Sequence, residues 1–585
     1  MNKFKKLLFA AVVCVTCLFG FSVSGQDTAP GQAQGFSLTG YMPGETFFYL
    51  EVRDLKKNLE LLQKSAIFRE IEEFTMLEHP DSDKPTQKIS ELLANPVAQI
   101  IGGNAAIGFF KGDSTGLKKP NFGLAAVGDA NIVKTVNDFL QSEKSKDKFN
   151  NITQAPYKNA VIYSIFPKEN NDFKTIYYTT LGNKLFVSSY KQFIQQVIDA
   201  SGREIPDSMA QTEKYKKAAI MPSEGRIALM YINTDYIKDA LELPDPMKVD
   251  FGNPLARYFG FQLLNEIKQM DYVVGEAFMP YGGKSDNITV KLATVGRQGQ
   301  PAAPVSPVPE VPNIAKFISA NTICAGFTRV NFAEIWTHFK EFAKEQLKEK
   351  IASKEELLDM IFGGMDFEKE VLPSIGREVG FTVSRYELET AMGKVSVPAA
   401  VFIVQIKADD EETNKSLKQS VKTLIGTGLA FLSRVNDDIQ VVTKNIGDSK
   451  MTTVVFKSKK ISEIIRPTYV SYGDFIIIGT LPQAVEDAVN AFKNPQANAF
   501  PELKRPFTKT GVVLDIKAVL DILSADEDLL IKIKMSEGGA EKEALLRQKF
   551  AMLMKIFRHI ERASYTTVVS GDGLTTERTL NFGVR

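Results

Sequence analysis

Three histidines, His79, His338 and His559, are all that the 585-residue chain contains. Metal and nucleophile sites built on histidine draw on clusters, and these three lie far apart in sequence. His79 has Asp81 and Asp83 beside it in "EHPDSDK". Hard cations take such donors, but the rest of a calcium loop is absent, and a solvated polar turn accounts for the segment. "YGGKS", with Gly282 to Ser285, shares Gly-Lys-Ser with phosphate loops. Phe278 stands where the first glycine of such a loop belongs, and the segment leads into a strand-like "NITVKLATV". No helix N-terminus would then face a phosphate. "GGNAAIG" lacks dinucleotide spacing, and "KADDEETNKS" puts acids at a helix start, where they complement the dipole. The chain has no H-E-x-x-H, no G-x-S-x-G and no paired C-x-x-C. The sequence therefore nominates no catalytic residue, no cofactor and no metal ligand. With 70 acidic residues, it cannot single out a carboxylate pair assembled by folding.

Charge and cysteine usage narrow the classes further. Lys plus Arg is 71 against 70 for Asp plus Glu, which argues against a nucleic-acid binder with a basic footprint. "MNKFKKLLFAAVVCVTCLFGFSVSGQD" has the three parts of a secretory signal. Lys3, Lys5 and Lys6 are the charged region, Leu7 to Phe21 the apolar region, and Val23 and Gly25 the small residues before a cut at Gln26. Val13 and Thr16, ahead of Cys14 and Cys17, do not suit a lipidation site. Residues 1–25 are expected to leave as a signal peptide, and no later segment has the length of a membrane-spanning helix. Cys324 is the one cysteine beyond it, so neither an internal disulfide nor a cysteine metal cluster is expected. In "ANTICAGFTRV" it reads as a small apolar strand residue.

The elements that would have to position any site come in two series. "GNKLFVSSYKQFIQQVIDA", Gly182 to Ala200, returns as "GDFIIIGTLPQAVEDAVNA", Gly473 to Ala491. Gly182-Asn183 and Gly473-Asp474 suit two-residue hairpin turns whose first central residue has positive φ. A strand follows each turn. Ser189 with Gln192 and Thr480 with Gln483 have capping-box spacing at the start of a helix. Phe193, Ile194, Val197 and Ile198 form an apolar stripe on the first helix; Ala484, Val485, Ala488 and Val489 form it on the second. Further pairs keep the same order, "IGGNAAIGFF" with "SIGREVGFTV" and "GRIALMYINTDYIKDAL" with "GVVLDIKAVLDIL" among them. Each series closes on a helix and a hairpin. "RQGQPAAPVSPVPEVP", 297–312, with five prolines, lies between them as a semi-rigid linker. The expectation is a tandem duplication: residues 36–296 and 313–585 as two homologous α+β domains, each a largely antiparallel sheet covered by helices on one face. A single long helix is expected from Asn331 to about Ala352, with Trp336, Phe339, Phe342 and Ala343 on one stripe.

"YMPGETFFYLEVRDLKKNLELLQKSAIFREI", "VLPSIGREVGF", "YGDFIIIGTLPQAVEDAV" and the closing "SGDGL" hairpin resemble an uncharacterised family of exported bacterial proteins, the domain of unknown function thirty-three fifty-two. The first series departs from that pattern, with "IIGGNAAIGF" in place of "SIGREVGF". The resemblance implies an exported α+β protein, in the periplasm or at the cell surface, and carries no catalytic residues with it. The reading that follows is a non-catalytic binding or scaffold protein with an unknown protein or cell-envelope partner. The alternatives are a carrier of an apolar ligand or lipid, suggested by forty phenylalanines and sheet-plus-helix units, and a carboxylate-based hydrolase.

Overall fold

The computed structural model describes most of residues 38–584. Residues 1–37, 79–101, 112–119, 129–133, 139–148, 168–174, 219–225, 236–261, 279–286, 299–308, 458–463, 495–499, 532–542 and shorter gaps lie outside that description.

One antiparallel sheet of twenty strands runs through the molecule. The first half supplies β1 (Thr46–Val52), β2 (Asn104–Phe110), β3 (Asn121–Val127), β4 (Phe149–Tyr157), β5 (Ala160–Pro167), β6 (Ile176–Leu181), β7 (Lys184–Ser188), β8 (Arg226–Asn233), β9 (Met270–Phe278) and β10 (Asn287–Gly296). The second supplies β11 (Thr322–Arg329), β12 (Ile375–Thr390), β13 (Gly393–Ile406), β14 (Ile439–Ile446), β15 (Ser449–Phe456), β16 (Thr468–Tyr472), β17 (Phe475–Gly479), β18 (Thr508–Asp515), β19 (Ile560–Val569) and β20 (Thr575–Val584). In space the first half reads β4-β5-β6-β7-β3-β2-β1-β8-β9-β10. The second reads β14-β15-β16-β17-β13-β12-β11-β18-β19-β20, the same order element for element. β10 pairs with β20, so the two sheets join edge to edge instead of standing as separate sheets.

The correspondence holds at the level of single residues. Phe186 is the fourth residue after Gly182, and the ladder leads from it through Ala125, Ala106, Glu51, Leu229 and Glu276 to Lys291. Ile477 is the fourth after Gly473, and the same walk leads through Ile403, Gly380, Phe327, Gly511 and Thr566 to Thr579. Lys291 and Thr579 face each other in the β10–β20 pair, as a local two-fold axis through that point requires. Three bulges fall at matching positions, with Phe47 and Ile323, Ile227 and Lys509, and Asp271 and Glu561 as the extra residues.

Helices cover both faces of the sheet, where the sequence suggested one. The helices are α1 (Leu55–Lys64), α2 (Ala66–Glu78), α3 (Lys191–Asp199), α4 (Glu213–Lys217), α5 (Phe332–Phe342), α6 (Glu345–Ile361), α7 (Glu411–Val435), α8 (Pro482–Lys493), α9 (Ile516–Ala525) and α10 (Glu543–Phe557). On one face α3 seals a core of Tyr49, Phe110, Phe186 and Tyr231, and α8 does the same over Ile403, Phe475 and Ile477. Every residue of the two expected stripes is buried there. On the other face α2 packs Ile67 and Ile71 against Ile288 of β10 and Phe582 of β20, and α6 and α7 cover Ile406 and Ile476.

Two local expectations are corrected. Gly182 and Gly473 do take positive φ, +61° and +56°. The helices after them, however, start at Lys191 and Pro482 with no side-chain cap. Ser189 and Thr480 serve the sheet instead: Ser189 Oγ accepts from Phe122 N at 3.1 Å and Thr480 Oγ1 from Ala400 N at 3.1 Å. Each hydroxyl is aimed at the neighbouring strand and away from the first N–H groups of its own helix. The long helix expected from Asn331 breaks into α5 and α6. Trp336 Nε1 donates to Glu355 Oε1 at 2.7 Å, whereas a straight helix would hold residues nineteen apart at about 28 Å. α6 therefore folds back along α5, and Lys340 also reaches Glu355 at 3.1 Å.

Candidate functional site

The described histidines stay apart, each spent on one carboxylate. His338 Nδ1 meets Glu341 at 2.7 Å and His559 Nε2 meets Glu70 at 2.9 Å. His79, Asp81 and Asp83 lie outside the described residues, as does Gly282–Ser285. Among the described residues no group of three or more His, Cys, Asp and Glu is placed to hold a metal ion. Gly102 and Gly103 cap a helix through their carbonyls: Leu55 N donates to Gly103 O at 3.2 Å and Lys56 N to Gly102 O at 2.8 Å. Helix N–H groups already paired this way are not offered to a phosphate. A Cβ on Gly103 would lie 2.4 Å from Val127 O, which is why glycine stands there. Asp410 accepts from Thr413 N at 2.7 Å at the start of α7, and that bond holds its carboxyl below the ordinary range, as the helix-start reading of "KADDEETNKS" has it. Cys324 is half-buried on β11, and burial raises its thiol.

Folding does bring two carboxylates together where β8 ends and β9 begins. Asp235 and Asp271 both bond to Lys214 Nζ, Asp271 at 2.6 Å, and Asp235 also meets Arg297. Tyr231 stacks on Tyr272 and meets Tyr215 edge-on, and burial pushes the Tyr231 hydroxyl up. Both acids are thereby paired with cations, Lys214 between them and Arg297 on Asp235.

The concave site lies where the halves meet. α2 from the first half and α10 from the second run side by side over the β10–β20 joint. Between them opens a cleft of about 660 Å³ lined by Arg69, Glu72, Glu73, Met76 and Leu77 from α2 and by Gln548 and Met552 from α10. Its wall is tied by Glu70, which meets His559 at 2.9 Å and Lys555 at 3.6 Å. The spacing explains the lining. Arg69, Glu72, Glu73, Met76 and Leu77 recur at three- and four-residue steps, so α2 turns charged and apolar residues to the same opening. Met76, Leu77 and Met552 supply deformable apolar surface to this open cleft, and Arg69, Glu72 and Glu73 supply charge. Sequence reading missed this site because nothing local in either helix marks the other as its neighbour.

An antiparallel α+β protein with helices on both faces and a cleft at the joint is the class the geometry defines. No described helix is long and apolar enough to cross a membrane. Residues 291–504, from within β10 to the turn before β18, match the family model described as Protein of unknown function (DUF3352), so this stretch carries an uncharacterised domain. No curated protein and no solved structure matches the chain.

Proposed function

We propose that this is an exported, non-catalytic binding protein built from two copies of one α+β unit, with its ligand seat in the cleft between α2 and α10. Support for export comes from the charged, apolar and small-residue segments before Gln26. Support for two copies comes from the matching strand order, the matched bulges and the ladder walk that ends at Lys291 facing Thr579. The observation that carries the binding reading is the cleft itself, which draws its lining from both halves and combines Met76, Leu77 and Met552 with Arg69, Glu72 and Glu73. Small-molecule sites combine apolar surface with a few placed polar groups, and this open cleft offers both. The chemistry it fits is an amphipathic molecule: an apolar chain against Met76, Leu77 and Met552 and a head group bearing both charges against Arg69, Glu72 and Glu73. The hydrolase alternative has less support, because Asp235 and Asp271 are both held by Lys214.

The test is titration of the full chain with a fluorescent single-chain zwitterionic lipid. Saturable binding is expected, weakened at least about tenfold by Leu77→Glu combined with Met552→Glu, with the melting temperature within a few degrees of the parent. Absence of saturable binding, or equal binding by the variant, overturns the assignment.

A further inference from the structure

The two halves differ in how much apolar surface they leave uncovered. In the first, Val187 faces Tyr178, which stacks on Tyr163 with ring centroids 4.5 Å apart. The matching residues of the second half are Ile478, Tyr469 and Thr452; Thr452 has no ring to stack, and Ile478 stands exposed. Phe402, its neighbour across β13–β17, is 57% exposed. Both lie on the face that α7 covers at Ile476, two residues before Ile478. The helices on that face carry more. α6 and α7 meet through Leu358, Phe362, Leu417 and Val421, and Ser420 Oγ donates to Phe362 O at 3.2 Å. Around that contact Met360 is 70% exposed, with Leu357 and Ile361 exposed beside it. Leu424 lies one turn beyond Ser420 on α7 and Phe431 two turns further, so one edge of the helix carries both, with Phe431 63% exposed. Residues 423–433 hold no charge, and a Cβ on Gly426 or Gly428 would meet nothing within 4 Å.

Charge selects the occupant. Nearby acids are spent inside the protein: Glu355 on Trp336 and Lys340, Asp359 on Phe367 N at 2.6 Å, Glu368 on Lys340, and Asp474 on Lys418 at 2.6 Å. Glu356 is the exposed exception on α6, and Glu411 and Glu412 sit at the far end of α7. Lys354, Lys415, Lys422 and Arg434 are exposed and make no ion pair among the described residues. Lys354 precedes Leu357 by one turn and Arg434 follows Phe431 by one turn, so cations flank the apolar patch at both ends. We propose that this face of the second half docks on a membrane surface bearing anionic lipid. Met360, Leu424 and Phe431 enter the head-group layer, and Lys354 and Arg434 meet lipid phosphates from the flanks. Lys415 and Lys422, across the ~10 Å width of α7, lie about one Debye length away and add attraction. The uncharged stretch is about 16 Å long against a hydrocarbon core of about 30 Å, so α7 lies along the surface and does not cross it. A second copy fits less well, because a two-fold interface would set the same cations against their own counterparts. The proposal is independent of the α2–α10 cleft and survives its failure.

In the experiment the full chain is mixed with vesicles of phosphatidylglycerol and phosphatidylcholine, or of phosphatidylcholine alone, and amide hydrogen exchange is followed peptide by peptide. That readout is local, so binding by apolar residues 7–21 does not enter it. Peptides within 354–361 and 423–434 should exchange at least about threefold more slowly on the anionic vesicles, and raised salt should reverse the effect. Met360→Glu combined with Phe431→Glu should abolish the slowing, and Lys354→Ser with Arg434→Ser should reduce it several-fold. All four positions are exposed, so the melting temperature should stay within a few degrees of the parent. The Leu77→Glu, Met552→Glu variant should retain the slowing; its loss there would move the contact to the cleft and overturn the proposal. No slowing on anionic vesicles, equal slowing on phosphatidylcholine alone, or equal slowing in the folded Met360→Glu, Phe431→Glu variant also overturns it. Slowing that appears without vesicles and rises with protein concentration would make the face a contact between copies and overturn it too.

Discussion

Arg53 and Arg329 occupy the same place in the two halves, two residues beyond Glu51 and Phe327 on the matched ladders. Arg329 is 4% exposed and reaches across to Glu378 on β12 at 3.0 Å, with the carbonyls of Thr508 and Glu310 taking its other bonds. Glu378 in turn accepts from Ile314 N at 3.2 Å. In the first half Asn104 stands where Glu378 does, and the acid has moved onto the arginine's own strand: Glu51 meets Arg53 at 3.1 Å and accepts from Tyr49 Oη at 2.6 Å. Among the described residues Arg53 Nη2 is left buried without a hydrogen-bond partner. The two halves thus hold one backbone plan with two different ion-pair solutions. What the plan demands is a carboxylate within reach of the buried guanidinium. It does not fix the strand from which that carboxylate comes.

The widest test of the comparison addresses the joint. If the sheets are one body, cleavage at a protease site inserted within 297–312 should leave both fragments co-eluting at the mass of the intact chain. Adding Val290→Pro should separate them, because β10 is paired on both sides, with Leu580 and Ala277 facing Val290, and proline removes a ladder donor. Size-exclusion chromatography reads both outcomes; fragments that separate without the proline would mean the halves are held by the linker alone.

Next in size is Glu378→Ala. It strands Arg329 and should cost about 3–5 kcal/mol of unfolding free energy in urea titration, the range for breaking a buried pair from one side. Glu51→Gln should cost less, about 1.5–3 kcal/mol, because Arg53 is partly solvated and the amide still accepts from Tyr49. Equal losses would remove the distinction between the two networks. The smallest effect is at the hairpin between β4 and β5. Lys158 holds φ of +50° there, where Gly447 occupies the matching turn at +62°. Lys158→Gly should relieve left-handed strain but removes the exposed Lys158–Asp199 pair and frees the unfolded chain, so a net change near zero or slightly positive is expected in thermal melts.

Local chemistry was legible in the sequence. The glycine turns at Gly182 and Gly473 and the stripes on α3 and α8 could be read because positive φ and helical spacing are properties of a few adjacent residues. The fates of Ser189 and Thr480 were not, since a hydroxyl at a helix start can cap the helix or bond a neighbouring strand, and only the strand's position decides. The β10–β20 joint left no local mark, because any two strand edges offer the same backbone groups and the choice rests on contacts such as Ile67 with Ile288 across distant parts of the chain. The Lys509 bulge was hidden for a related reason: one extra residue in "TKTGVVLD" becomes visible only against the register of β19. The α2–α10 cleft is assembled from helices more than four hundred residues apart and inherits that blindness.

The pairing of Lys291 with Thr579 has a consequence for the chain as an assembly. An edge that meets its own counterpart across a two-fold axis is self-complementary, so a single half released into solution presents a strand suited to another copy of itself. Holding both edges on one polypeptide replaces that bimolecular encounter with an internal one, at an effective concentration on the order of millimolar for a short tether. The covalent connection therefore makes docking independent of how much protein is present. It also occupies an edge that would otherwise recruit strangers.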